Sequence, residues 1–325
     1  IGIAIFVHLQ QESKMNVKAK GYIIGSIAAA TYGMNPLFTL PLYEDGMNPD
    51  SVLFFRYLFA IPILGIMTKA RGRSLRLKRK ETLPLIFMGL IAAVSSLTLF
   101  QSYNYMDAGI ASSLLFVYPI MVALIMSLLF KEKLSLQTIV CIVMALGGIA
   151  LLYKNEDGGT LSLAGTILVF ISSLSYAIYI VGVNRPSLKT IPTLKITFYV
   201  LLFGVTLFLA RLLWNGNWSV PGQWHLWGNL IALAVFPTTI SFLCTTLAIQ
   251  YIGSTPAAIL GVLEPATAVF FGITVFGEVL TARDCAGLAL IFIAVTLVIA
   301  GGSIAPVMVR FRKLFPKLPR KNKTT

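Results

Sequence analysis

Between Gly21 and Tyr43 the chain carries no Asp, Glu, Lys or Arg, and the same holds from Thr82 to Met106, Ala108 to Phe130, Leu134 to Tyr153, Gly158 to Asn184 and Cys285 to Val309. A hydrocarbon core of about 30 Å is crossed by about 20 residues of helix, so each stretch is long enough to span. Lipid offers no partner to a bare backbone, and a helix satisfies its own N–H and C=O groups. The longer uncharged run from Leu212 to Leu263 is divided by a Trp, Gly, Asn and Pro cluster, Trp214 to Trp227, and by the break Tyr251-Ile252-Gly253-Ser254-Thr255-Pro256. It therefore reads as a loop and two crossings. Adding segments near Asp50 to Thr68 and Pro192 to Leu213 gives an all-α integral membrane protein of ten transmembrane helices. They are expected over 21–41, 50–68, 82–105, 108–130, 135–153, 161–183, 192–213, 227–250, 254–276 and 282–302.

Composition agrees, with 57% hydrophobic and 12% charged residues, where a soluble domain carries about 25% charged. Disorder needs the opposite balance, and three cysteines cannot staple 325 residues as a disulfide scaffold. The net charge of +14 would suggest nucleic acid if it lay on one folded face, but the loops hold it. With the N-terminus inside, alternate connections collect all but four of the 26 lysines and arginines. Those four are Arg56 within the second helix, Lys154, Arg211 and Arg283. The positive-inside rule then places both termini in the cytoplasm, and the basic loops face an anionic leaflet rather than nucleic acid. Ile1 to Leu9 is apolar but lacks a preceding basic region and a cleavage site, so it does not read as a signal peptide. Met15, followed by Lys18 and Lys20, reads as the natural start, with residues 1–14 an upstream artefact.

The chain also repeats itself. One offset puts Pro119 on Pro265, Phe130 on Phe276, Glu132 on Glu278 and Tyr105 on Tyr251, and a shift two residues shorter puts Gly21 on Gly165 and Tyr32 on Tyr176. Helices one to five thus match helices six to ten, over 18–156 and 157–302, between an N-terminal extension 1–17 and a basic tail 303–325. Five is odd, so the second copy enters the membrane with opposite polarity. Inverted repeats of this kind build secondary transporters, with the substrate between the halves.

Two copies of a Pro-containing helix closed by a Glu, Pro119 with Glu132 and Pro265 with Glu278, together with Arg56 in helix two and Leu263-Glu264-Pro265 in helix nine, resemble the EamA-type transporters of the drug/metabolite transporter superfamily. The resemblance covers essentially Lys18 to Gly302. It implies a multi-pass carrier of a bacterial plasma membrane that exports amino acids or other small metabolites. It does not specify the substrate.

Among twelve acidic residues, Glu264 alone lies deep in an apolar run. Ten residues after Ser254, it sits about 15 Å along its helix, near the midplane. A carboxylate there faces a cavity, a partner or a proton path, or else is a neutral acid hydrogen-bonded for packing. Arg56, about 9 Å inside the outer end of helix two, either holds an anionic substrate group, pairs with Glu264, or snorkels towards Glu44 or Asp50. Tyr32 and Asn35 in helix one, Gln101 and Tyr105 in helix three, Tyr118, and Ser172, Ser175, Tyr176 and Tyr179 in helix six recur at helical spacing. They form cavity faces or interhelical hydrogen bonds. Tyr105, Tyr251 and the four tryptophans read as interface anchors. Pro36, Pro62, Pro84, Pro119, Pro237 and Pro265 each free a backbone carbonyl, and Pro119 and Pro265 are the candidate hinges.

Enzyme chemistry has little support. The only histidines are His8 and His225, the cysteines Cys141, Cys244 and Cys285 lack metal-ligand spacing, and no Gly-rich phosphate loop is present. No metal or cofactor is expected. The reading is a secondary carrier of a small metabolite in which Glu264 couples a proton or holds a cationic group, with Arg56 on the opposing charge. A passive facilitator and a membrane accessory or lipid-handling protein remain the alternatives, and the oligomeric state is left open.

Overall fold

The computed structural model describes residues 2–297 apart from 73, 107, 132–135, 153–161, 277–281, 284 and 295–296. The basic tail and the helix-end acids Glu132 and Glu278 lie outside the described residues. Within them the chain is helical throughout, with no strand. Its first part holds α1 (Gly2–Tyr32), α2 (Asn35–Glu44), α3 (Pro49–Ala70), α4 (Arg79–Ser102), α5 (Ala108–Leu115), α6 (Tyr118–Phe130) and α7 (Leu136–Leu152). After these come α8 (Leu163–Val183), the single turn α9 (Pro186–Lys189), α10 (Thr193–Asn215), α11 (Leu226–Leu233), a π-helical turn (Ala234–Ile240), α12 (Ser241–Ile252), α13 (Ser254–Leu260) and α14 (Leu263–Phe276).

Seven stretches are long and apolar enough to cross a membrane: Val17–Glu44, Pro49–Ala70, Arg79–Ser102, Leu163–Val183, Thr193–Asn215, Leu226–Ile252 and Ser254–Val275. Three further apolar helices, Tyr118–Phe130, Leu136–Gly148 and Cys285–Ala294, are shorter. They fall where the fourth, fifth and tenth crossings are expected.

Several expected helices are interrupted, and proline places each interruption. Pro lacks an N–H and its ring clashes with the carbonyl four residues back. Four residues before Pro36 is Tyr32, where α1 ends; before Pro119 is Leu115, where α5 ends; before Pro237 is Leu233, where α11 gives way to the π turn; before Pro265 is Gly261, just past the end of α13. The helices expected over 21–41, 108–130 and 254–276 are therefore each two segments, whereas the one expected over 227–250 runs on through the π turn without a break. Pro62 and Pro84 instead sit inside unbroken α3 and α4.

Pairs of helices pack through small residues that recur at matching positions. Ser95 Oγ on α4 donates to Ser172 O on α8 at 3.0 Å, and Ser241 Oγ on α12 donates to Ala28 O on α1 at 2.9 Å. Gly21 on α1 lies against Tyr251 and Ile252, and Gly165 on α8 lies against Tyr105 and Met106. Any side chain at either glycine would meet those neighbours.

The helix α10 is tied at both ends to the first half of the chain. At one end Lys195 Nζ donates to Glu81 Oε2 at 2.6 Å and to Arg76 O at 2.7 Å, while Tyr199 Oη donates to Leu75 O at 2.5 Å. At the other, Arg211 forks onto both oxygens of Asp50 at 2.8 and 3.3 Å, and Ser219 N donates to Ser51 Oγ at 3.0 Å. The first pair is the drier, with side chains 8% and 16% exposed against 36% and 14% for the second. Lys195→Ala is therefore expected to cost about 1–3 kcal/mol and Arg211→Ala about 0.2–1 kcal/mol. Thermal unfolding of the purified variants, with double-mutant cycles through Glu81→Gln and Asp50→Asn, measures both.

Candidate functional site

The helix interruptions converge on one acid. Glu264 stands in the first turn of α14, where its own backbone N–H donates to Gly261 O at 2.9 Å, and it is 8% exposed. Tyr118, in the first turn of α6, donates its hydroxyl to Glu264 Oε1 at 3.4 Å. The close approach of these segments requires Gly261: a Cβ there would overlap the Tyr118 hydroxyl. Gly33, between α1 and α2, meets the same requirement, because a Cβ there would overlap the Glu264 carbonyl and come within 2.9 Å of Thr267 Cβ.

Tyrosines wall the acid. Tyr118 meets Tyr176 edge-on with centroids 4.7 Å apart, Tyr32 stacks on Tyr176 at 6.0 Å, and Tyr176 stacks on Tyr179 at 6.3 Å. Two clefts meet at Glu264. Tyr118, Tyr176, Thr245 and Gly261 line one; Tyr32, Asn35, Tyr103, Ser112 and Leu115 line the other. An acid with a hydroxyl neighbour, aromatic walls and no cation within 4.0 Å among the described residues can receive a proton or a cationic group of a ligand.

Arg56 does neither of two things open to it. Its side chain is fully buried, so it does not snorkel, and Asp50, one expected partner, is taken by Arg211. Nor does it form an ion pair with Glu264. Nε donates to Thr238 Oγ1, Nη1 donates to Asn35 Oδ1 at 2.9 Å, Nη2 donates to Pro237 O at 3.1 Å, and the guanidinium lies 5.4 Å from the Phe100 ring centroid. The Pro237 carbonyl is within reach because the π turn displaces it from the regular ladder; Thr238 and Thr239 close that turn by donating to Leu233 O and Ala234 O.

The structure therefore brings together Glu264, Tyr118, Tyr176, Tyr32 and Asn35, with Tyr179 behind Tyr176, its hydroxyl 3.3 Å from Thr246 Oγ1. Gln101, half-buried on the last turn of α4, lines neither cleft. Ser172 is spent on the α4 contact. Tyr105 and Tyr251 are exposed at helix ends, as are the four tryptophans in and beside their loop. Pro119 and Pro265 follow Tyr118 and Glu264 directly. Tyr103, Ser112, Thr245 and Thr238 are additions that sequence reasoning misses. Only Thr238 carries a signal, its place directly after an intramembrane proline.

A sequence profile of the EamA-like transporter family matches the chain twice, over residues 19–154 and 163–300. The chain belongs to that family. An uncharacterized transporter of Archaeoglobus fulgidus is 29% identical over 262 residues, 80% of this chain and 90% of that protein. The uncharacterized transporter YcbK of Bacillus subtilis is 23% identical over 301 residues, 88% and 95% of the two chains. The uncharacterized inner membrane transporter YicL of Salmonella typhimurium is 24% identical over 292 residues, 87% and 96%. One crystal structure superposes with a TM-score of 0.75 over 90% of this chain and 98% of its own at 17% identity, a likeness of fold. This member of the EamA-like family is thus a multi-pass membrane transporter and not an enzyme, with a small-molecule substrate and a lipid bilayer as its surroundings.

Proposed function

We propose that the protein is a secondary carrier that exports amino acids or related small metabolites by alternating access between two inverted five-helix repeats. The observation that carries this reading is the behaviour of equivalent positions. Tyr118 precedes Pro119 as Glu264 precedes Pro265, and these two residues hydrogen-bond to each other. Tyr32 and Tyr176, matched by the repeat, stack on each other. Two equivalent residues in mutual contact are what a two-fold axis between them produces. The paired serine bonds of α4 with α8 and of α12 with α1 fit the same axis, which then passes beside Glu264. A site on the axis between inverted halves is where both faces of a membrane gain access in turn.

The halves would rock about this axis, with Pro119 and Pro265 as hinges, both termini cytoplasmic and the membrane a bacterial plasma membrane. Glu264 takes a proton in one orientation and the substrate's cationic group in the other. Counterflow in proteoliposomes preloaded with a mixed metabolite pool tests this. Accumulation of one labelled compound class, absent from empty vesicles, is expected. Correctly inserted protein that exchanges nothing across a broad panel would overturn the carrier reading, and exchange without concentrative uptake under an imposed pH gradient would identify a passive facilitator.

A further inference from the structure

Asn35 is 2% exposed and has one satisfied half. Its Oδ1 accepts from Arg56 at 2.9 Å, whereas its Nδ2 has no hydrogen-bond partner. The assignment of the two amide atoms follows from chemistry, because a guanidinium carries only donors and the amide must turn its oxygen towards it. Arg56 is itself held in place by Thr238 Oγ1 and Pro237 O on the π turn, and by the Phe100 ring. The amide therefore cannot turn over without leaving a buried charge short of an acceptor, which costs more than an ordinary hydrogen bond. Asn35 lines the cleft that ends on Glu264, and its NH₂ is the polar group it has left to offer there.

We propose that Asn35 Nδ2 is the specificity-determining donor of the carrier site, receiving a carboxylate or carbonyl oxygen of the substrate, and that Arg56 is a positioning residue that never touches the substrate. This rests on the carrier reading of the same site. One cleft then holds two poles, an acid at Glu264 and an oriented donor at Asn35, joined by the Tyr32 and Tyr103 walls. The ligand chemistry that fits is a cationic nitrogen and an acceptor oxygen on one small molecule. A simple amine satisfies only the first pole and leaves a buried N–H unpaired, so it is rejected.

The test uses matched probes in proteoliposomes of the full chain: phenylalanine beside phenethylamine, lysine beside cadaverine and serine beside ethanolamine, each pair differing by one carboxylate. Wild type is expected to exchange the oxygen-bearing member of at least one pair about 10-fold more efficiently, the worth of a hydrogen bond to a charged group. Asn35→Asp keeps the shape and the bond to Arg56 but replaces the donor with an acceptor. It should remove that preference, lowering the exchange of the oxygen-bearing member relative to its amine by about 10-fold. Arg56→Lys, which still donates to Asn35 Oδ1, should keep the preference, and Arg56→Met should lose it. A merely structural role for Arg56 or Asn35 would lower both members of a pair in parallel, and that result overturns the proposal. So does wild-type exchange of other compounds with neither member of any pair, which leaves the carrier reading standing. Absence of any exchange removes both.

Discussion

Glu264→Gln is expected to abolish concentrative transport driven by a pH gradient and to weaken exchange of cationic substrates by about 10- to 100-fold, the range of a lost hydrogen-bonded charge contact. Glutamine keeps the volume and can still accept from Tyr118, so the fold survives, but it neither takes up a proton nor pairs with a cation. The acid is the only described one whose carboxyl is enclosed by tyrosines. Its counter-charge within 4.0 Å is absent among the described residues, so the charge balance of the site changes with every ligand or proton that arrives. The measurement is uptake of the counterflow substrate with and without an imposed pH gradient, wild type against variant. Tyr118→Phe removes only the 3.4 Å hydrogen bond and should leave the response to the gradient intact. Unchanged uptake and unchanged pH dependence in Glu264→Gln would remove the acid from the mechanism.

The apolar helices, seven of them long enough to cross, were legible in the sequence because hydrocarbon tolerates almost no charge, which makes an uncharged run of 20 residues informative by itself. Glu264 was legible for the same reason, as the exception to that rule. The interruptions were legible as prolines but not as breaks. Pro36, Pro119, Pro237 and Pro265 each end a helical segment at or next to the residue four positions earlier, whereas Pro62 leaves α3 whole. Nothing local distinguishes them, since the difference lies in what else packs against the freed carbonyl. At Pro237 that carbonyl is Leu233 O, and its partner is the Thr238 hydroxyl, which donates to it at 2.6 Å.

Arg56 shows the limit most directly. Sequence gives a cation about 9 Å from a helix end, a depth compatible with snorkelling, an ion pair or ligand contact. Its three acceptors come from α2 and from the π turn, and no periodicity in α3 announces them. The hydroxyls around Glu264 were equally hard to separate from their surroundings. Thr246, Thr267 and Thr274 each donate to the carbonyl four residues back in their own helix, the usual fate of Thr in an apolar helix. Only the packing shows that Thr245 lines a cleft while its neighbour Thr246 is buried against Tyr179.

Gly33→Val is expected to be the most damaging single substitution outside the charged groups. The Glu264 carbonyl occupies the space a Cβ would need, and the next contact, Thr267 Cβ at 2.9 Å, is on the same segment. The obstruction is backbone rather than the tip of a side chain, so it cannot turn aside; the α1–α2 junction must separate from α14. Overpacking of this kind costs about 1–3 kcal/mol, and here the displaced element is the one that carries Glu264. Stability and transport should therefore fall together, unlike Glu264→Gln, where transport falls alone. Gly65→Ala is the matched control, because its Cβ would find Phe198 at 3.5 Å, an ordinary contact. Thermal unfolding and counterflow on the same preparations decide it. A Gly33→Val protein with wild-type exchange would mean that α1 need not seat against the Glu264 segment for the substrate to be held, and that the tyrosine wall contributed by α1 is not part of the site.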